Sequence, residues 1–451
     1  MKRAIWVAFS AALILMVGAC AWLPWSWGRA PQQSGFVTVE DGRFALDGRA
    51  YAFAGTNVWY GAYLGAPGET GDLTRLAREL DLLKANGMTN LRVLGASEES
   101  PMKNSLTPAF HGPDNVPNED LLLGLDRLLA ELAQRDMKAV IYLNNFWEWS
   151  GGMGTYLSWV NGGEYIDLGD PAHPWPEFPL FNMQFYANEE ANAIYRDYVR
   201  ALVTRRNTVN GRLYAEDPTI MAWQLANEPR PGYSAEPGMA VLPEYYDWVE
   251  STAEFIKSFD NRHLVSTGSE GVVGCADHVP CYLDAHRAGA VDYLTFHMWP
   301  KNWSWLDGSD MEGSFPRVTA NSEAYIAQHI AMAKELGKPI VLEEFGLPRD
   351  DGALEPGSPT VLRDRYFAGV FADVEESVAE GGPLMGTNFW TWGGLGRAEH
   401  ADRAWRAGDR SYTGDPPQEP QGLNSVFSED ASTLAVIRTH AERLAQETAV
   451  D

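Results

Sequence analysis

The sequence predicts an α/β fold, a (β/α)8 TIM barrel with enlarged loops on its carboxyl-end face. Two observations carry that expectation. Eight short apolar runs recur over about 400 residues: Tyr51–Asn57, Asn90–Leu94, Lys138–Asn144, Thr219–Ala226, His263–Thr267, Val291–Phe296, Pro339–Glu344 and Leu384–Trp390. Segments of helical period separate them, and strand–helix alternation on this scale is the pattern of a parallel barrel. A doubly wound open sheet is the alternative. Nothing favours it, since "GSEGVVG" lacks the glycine spacing of a dinucleotide loop and no phosphate loop occurs.

The elements follow in order. Lys2-Arg3 and an apolar stretch from Ala4 to Val17 read as an export signal over residues 1–19, too short for a confident membrane span. Its end, Val17-Gly18-Ala19-Cys20, resembles the bacterial lipobox, which implies a lipid on Cys20; a plain signal peptide with a chance cysteine is the alternative. Residues 20–35 would be a tether and 36–447 the catalytic barrel. That makes the expected location the bacterial cell envelope, through an N-terminal lipid anchor, or the medium. Next, Asp41-Gly42 and Asp47-Gly48 mark hairpin turns. In "DLTRLARELDLLKANG", Leu73, Leu76, Ala77, Leu80 and Leu83 share one helical face between the cap Asp72 and the stop Gly87. Leu121, Leu125, Leu128 and Leu132 do the same in the next helix, and Leu434, Ile437, Ala441 and Leu444 in the last, after the cap Ser432. The longest insertion, Phe146–Asn188, follows the third strand and is rich in Trp, Tyr, Gly and Pro, as an aromatic wall over a cleft would be.

Composition narrows the chemistry. A formal charge of -26 over 451 residues excludes nucleic acid and anionic lipid as partners, which demand basic patches. With 17 Trp and 18 Tyr, some aromatic side chains are expected in a surface cleft. Oxidising export makes Cys275 and Cys281 a candidate disulfide, two free thiols being the alternative. The histidines are too scattered for a metal cluster, and "DGSDMEG" lacks calcium-loop spacing, so neither metal nor cofactor is expected.

Two strands end in acids. "AWQLANEPR" runs from a buried strand into Asn227-Glu228-Pro229, and "KPIVLEEFG" ends in Glu343-Glu344. Proline disfavours helical backbone before it, which predicts an extended Glu228 at the fourth strand's end. Alternation would put Asn227 and Glu228 on opposite faces, so a bulge or twist is expected if both reach the cleft. Acids ending strands four and seven face each other across a barrel mouth, and glycoside hydrolysis uses such a carboxylate pair.

These motifs resemble glycoside hydrolase family 5. "NNFWEWSGGMGTYLSWV", "DPTIMAWQLANEPRP", "FHMWPKNW", "GTNFWTWGG" and "DPPQEPQGLNSVF" are similar to its β-mannanase subfamily, over roughly residues 36–445. The resemblance implies Glu228 as acid/base and Glu344 as nucleophile in a retaining, endo-acting enzyme on β-1,4-mannan. It also implies Arg92 beneath the nucleophile, Asn227 on the sugar 2-hydroxyl, His297 as an orienting group and Trp390 as a stacking floor, with Trp392 as rival. Arg230 would contact sugars on the leaving-group side, with Asn144, Trp147 and Trp149 opposite. Many relatives have tyrosine two residues after the histidine; here Trp299 stands there, able to donate but not to accept. An endo-β-1,4-glucanase, an exo-acting β-mannosidase and a non-catalytic glycan-binding lipoprotein are the alternatives. The polysaccharide is the expected partner, with the protein a monomer.

Overall fold

The computed structural model describes residues 35–233 and 235–450. The chain divides between Gln32 and Gln33, and the described residues lie in the second unit. The export signal, Cys20 and most of the tether lie outside them.

Eight parallel strands form the barrel: β1 (Phe53–Asn57), β2 (Asn90–Leu94), β3 (Lys138–Tyr142), β4 (Ile220–Gln224), β5 (Leu264–Ser266), β6 (Leu294–Met298), β7 (Ile340–Phe345) and β8 (Leu384–Phe389). Their order around the sheet is β5-β4-β3-β2-β1-β8-β7-β6. An isolated parallel bridge between Ser266 and Tyr293 joins the two ends and closes the cylinder. Every residue of these strands is buried, as a parallel sheet under helices requires. All eight apolar runs therefore coincide with barrel strands.

Before β1, Val37–Glu40 pairs antiparallel with Arg43–Leu46, which pairs with Arg49–Ala50. Both Asp-Gly turns place both residues at positive φ (Asp41 50°, Gly42 75°; Asp47 53°, Gly48 75°), the tight-hairpin geometry in which glycine is needed. This ribbon plugs the amino end of the barrel. Val37 and Phe44 pack with Phe53, Val140, Met221, Ala222, Leu264, Tyr293, Val341 and Met385 in one apolar cluster.

The helices keep most of the expected faces. In Leu73–Ala85, Asp72 Oδ1 accepts from Arg75 N at 2.8 Å, and Leu76, Leu80 and Leu83 are buried. Leu73 is the exception at 48% exposed: at the first helical position it projects past the layer it was expected to join. Leu121, Leu125, Leu128 and Leu132 are wholly buried. The last helix begins at Ala431, one residue before the expected cap Ser432. Asp430 takes that place because Arg349 Nη1 grips its carboxylate at 2.7 Å while Phe427 N donates to it at 2.8 Å. Cys275 and Cys281 form a disulfide across a Cα–Cα distance of 5.8 Å.

Candidate active site

Strand polarity puts the loops after β3, β4, β5, β6 and β8 on one face, where they enclose a cleft of about 410 Å³. Trp147, Trp149, Leu168 and Trp175 of the 146–188 insertion form one wall. Trp299, Asn302 and Trp303 after β6, with Pro416, Gln418 and Glu419 after β8, form the other. Asn227, Glu228, Arg230, Glu270, Val273, Glu344 and Trp390 complete it. A larger groove of about 800 Å³ between the helices Glu189–Val203 and Ala235–Lys257 contains none of the expected site residues.

The two glutamates converge. One carboxylate oxygen of Glu228, one of Glu344 and a ring nitrogen of His297 all lie within 4.8 Å of one another. Glu228 is 6% exposed and Glu344 3%, so both acids are nearly out of water at the floor of an open cleft.

The backbone route to Glu228 differs from the expected one. Glu228 is not extended but left-handed, at φ 50°. Just before it, Leu225 N and Ala226 N both donate to the same neighbouring segment, to Ser266 O at 3.0 Å and Thr267 O at 3.3 Å, which breaks the alternation of β4. Asn227 N then returns to Asn144 O at 2.8 Å. The irregularity followed by a left-handed residue turns Asn227 and Glu228 into the same cleft, against the preference set by Pro229. At the second acid, the register of β7 against β6 slips between Leu342 and Glu344, which leaves Glu343 as the extra residue and sets Glu344 opposite His297.

Arg92 organises the floor from β2 and is wholly buried. Its Nη1 donates to Glu344 Oε1 and, at 3.2 Å, to Asn57 Oδ1; its Nη2 donates to Asn227 Oδ1 at 2.7 Å. Its Nε donates to Gln224 Oε1 at 2.8 Å, and the guanidinium carbon sits 4.6 Å from the centroid of the Tyr142 ring. Every arm of a buried cation is thereby satisfied. On the opposite side, Trp147 Nε1 donates to Glu228 Oε2 at 2.5 Å, and Trp299 Nε1 approaches Oε1 at 3.4 Å. His297 Nδ1 lies 2.7 Å from Glu228 and 3.4 Å from Glu344, in contact with both. Trp299 thus faces the acid/base candidate rather than the nucleophile candidate.

Two carboxyls so close and so dry hold one proton between them. Burial pushes the Glu344 carboxyl well above the usual range, with Arg92 pulling against it. Burial is the largest single influence on Glu228 as well, but the contacts with His297, Arg230 and Trp147 together outweigh it and draw that carboxyl down to about 2. Burial also draws His297 down to about 4, so its ring is neutral near pH 7 and can either donate to Glu228 or accept from it.

The remaining expected residues fall in two groups. Arg230 lines the cleft, donates from Nη2 to Glu270 Oε2 at 2.8 Å, and holds its guanidinium carbon 4.8 Å from the centroid of the Trp147 ring. Trp390 lines the cleft too, edge-on to Trp299 with centroids 6.1 Å apart. Its rival Trp392 is wholly buried and donates to Glu79 Oε2 at 2.8 Å, a structural task. Asn144 does not line the cleft: it is wholly buried and its Oδ1 accepts from Asn145 N at 2.7 Å. The neighbouring Asn145 reaches Asn227 instead, accepting from its Nδ2 at 3.1 Å.

Sequence reasoning missed Glu270, Asn302, Trp303, Gln418 and Glu419 in the cleft. Glu270 had a usable signal, since it follows β5 as Glu228 follows β4. The others lie within "FHMWPKNW" and "DPPQEPQGLNSVF", motifs that carry the resemblance but in which these residues were given no role.

A family model described as GH family 5 beta-mannosidase-like matches residues 34–449. Among curated proteins, mannan endo-1,4-beta-mannosidase 4 of Oryza sativa subsp. japonica is 29% identical over 442 residues, covering 94% of this chain and 84% of the relative. The crystal structure of a glycoside hydrolase family 5 mannosidase from Rhizomucor miehei is similar with a TM-score of 0.83 and 33% identity, covering 92% of this chain and 99% of that one. The endo-1,4-beta-mannanase from the same organism, 23% identical with a TM-score of 0.66 and covering 91% of this chain and 100% of that one, shares the fold. With the match spanning nearly all of the described barrel and its paired glutamates, this chain belongs to the beta-mannosidase-like group of glycoside hydrolase family 5 and is a glycoside hydrolase.

Proposed function

We propose that this enzyme hydrolyses β-1,4-mannosidic bonds of mannan, glucomannan or galactomannan by double displacement, with retention and at internal positions of the chain. The carrying observation is the spacing of the acids, with one oxygen of each within 4.8 Å. Retaining enzymes hold their carboxyl groups about 5–5.5 Å apart, whereas inverting ones need about 6.5–9.5 Å to admit a water. The mannan assignment draws support from the curated relatives, whose names specify mannan endo-1,4-beta-mannosidase.

In this reading Glu228 protonates the glycosidic oxygen while Glu344 attacks the anomeric carbon to give a glycosyl-enzyme. Glu228 then takes a proton from the water that releases the sugar. The proton must begin on Glu228. The glycosidic oxygen has no proton to give, so facing it the protonated carboxyl is favoured over the ionised form that the indole donors of Trp147 and Trp299 support. The proton is then carried on Glu228 Oε2, facing the sugar, with neutral His297 donating from Nδ1 to Oε1 and Arg92 holding Glu344 ionised. Trp390 serves as the floor for the reacting ring, where apolar C–H faces meet an aromatic surface.

A second reading, removal of terminal mannosyl units, has two specific supports. The insertion and the segment around Glu419 face each other across the cleft, and the solved R. miehei mannosidase reaches the TM-score of 0.83. Product analysis on mannohexaose separates the readings: endo action gives oligosaccharides first, end-wise action gives mannose from the first minutes. Cutting of soluble cellulose with mannan left intact would reject both. We further propose that the enzyme is an envelope lipoprotein acylated on Cys20 and active as a monomer. Loss of fatty-acid labelling in Cys20→Ser tests the anchor, and sedimentation tests the monomer.

A further inference from the structure

Directly beneath the nucleophile candidate lies a second glutamate that the double displacement does not use. Glu343 is wholly buried, yet it carries a carboxylate into the barrel interior. The β-bulge in β7 makes this possible, because adjacent residues of a regular strand point to opposite faces and here both acids turn inward. Its Oε2 accepts from Gln224 Nε2 and lies 3.6 Å from Arg92 Nε; Tyr293 Oη donates to its Oε1 at 3.3 Å. Gln224 in turn accepts from Arg92 Nε at 2.8 Å through its Oε1 and donates to Ser266 Oγ at 3.0 Å through its Nε2. One guanidinium therefore serves two carboxylates, Glu344 through Nη1 and Glu343 through Nε, with Gln224 bridging the lower contact.

We infer that Glu343 is a positioning residue for the nucleophile: it anchors Arg92 from below and divides that cation's charge between itself and Glu344. This rests on Glu344 being the nucleophile. A guanidinium bound wholly to Glu344 would neutralise it and blunt its attack. A guanidinium shared with Glu343 keeps Glu344 oriented while leaving it electron-rich. Removing the lower charge should therefore make Glu344 easier to ionise and a weaker nucleophile.

The groups facing Glu344 are Arg92, Glu228, His297, Glu343 and, across the guanidinium, Tyr142. Those facing Glu343 are Arg92 and Tyr293, with Tyr282 beyond. Tyr142, Tyr282 and Tyr293 are all held neutral by burial, their hydroxyls pushed well above the ordinary range. Burial pushes the Glu343 carboxyl up while Arg92, Gln224 and Tyr293 pull it back, and of these groups it is the one that can set a negative charge beside Arg92 from below.

The test is the pH profile of kcat/KM on mannohexaose for Glu343→Gln, whose amide keeps the shape and the acceptor for Gln224. The acidic limb, which reports the first titration of the Glu228–Glu344 pair in the free enzyme, is expected to move down by on the order of one pH unit, with kcat lowered and KM little changed. The transposed variant Gln224→Glu/Glu343→Gln returns the charge to Arg92 Nε through the same hydrogen bond and should restore the limb. A limb that stays in place in folded Glu343→Gln, or one that the transposed variant fails to restore, overturns the inference. Full activity of Glu344→Gln would instead overturn the reading of the nucleophile on which it stands.

Discussion

At the amino end of the barrel, Val37 and Phe44 pack against Phe53, Met221, Val341 and Met385; at the carboxyl end of the same strands, Arg92, Glu343, Glu344 and His297 are buried to a similar degree. Strand β7 spans both environments, with Val341 in the apolar plug and Glu344, 3% exposed, in the cleft floor. The lower end is held by apolar area removed from water, which is non-directional and tolerant of approximate shape. The upper end is held by charge-assisted hydrogen bonds, in which each missing partner leaves a desolvated charge. The barrel thus closes one end with apolar side chains and builds its chemistry at the other.

Substitutions at the two ends should separate these properties. The largest effect is expected from Glu344→Gln, which should lower kcat by about 10⁴-fold or more while the melting temperature stays close to that of the parent; a comparable loss of stability would mean that the cleft floor also carries the fold. Next comes Phe44→Ala in the plug, expected to cost about 3–5 kcal/mol in denaturant unfolding, with kcat of the folded fraction unchanged. A change in its pH–rate profile would break the division between the ends. Trp390→Ala should weaken kcat/KM by roughly 10–100-fold, about 1.4–2.7 kcal/mol, with little change in unfolding.

The smallest effect expected is on acid stability. Burial holds His297 and His286 down to about 4 and His329 to about 3, from the ordinary 6.5. Between those values the unfolded chain binds protons that the folded one does not, so this contribution is complete above pH 6.5 and is lost as pH falls towards 4 and 3. His329→Gln should therefore lose less stability than the parent on acidification from pH 6.5 to 4, measured by urea midpoints. Equal losses in both proteins would remove His329 from the account.

How much of this was legible depended on the range of the interaction. The β-strands were, because each is a local apolar run; so were the hairpin turns, because Asp-Gly tolerates positive φ in any context. Glu228 was found, but not its backbone: Pro229 argues locally for an extended residue, and the hydrogen bonds to Gly268 and Asn144 from neighbouring segments overrode it. Ser432 was misplaced as a cap because Arg349, 83 residues earlier in the chain, fixes Asp430 instead. Asn144 was placed in the cleft from its position at a strand end, which says where a residue lies but not which way it points.

The sequence by itself determined the periodicities, hence the strands, the helices and the barrel they close, because those follow from side-chain patterns within about twenty residues. It also placed a glutamate at the end of each of two strands. Only the tertiary structure decided that Arg92 would serve two carboxylates, that Trp299 would face Glu228, and that Trp390 rather than Trp392 would reach the cleft. Those outcomes turn on shifts of one residue in register and on the direction of single side chains. Such choices are set by contacts between distant segments, 71 residues apart for Glu228 and Trp299 and 252 for Arg92 and Glu344, which no local pattern encodes.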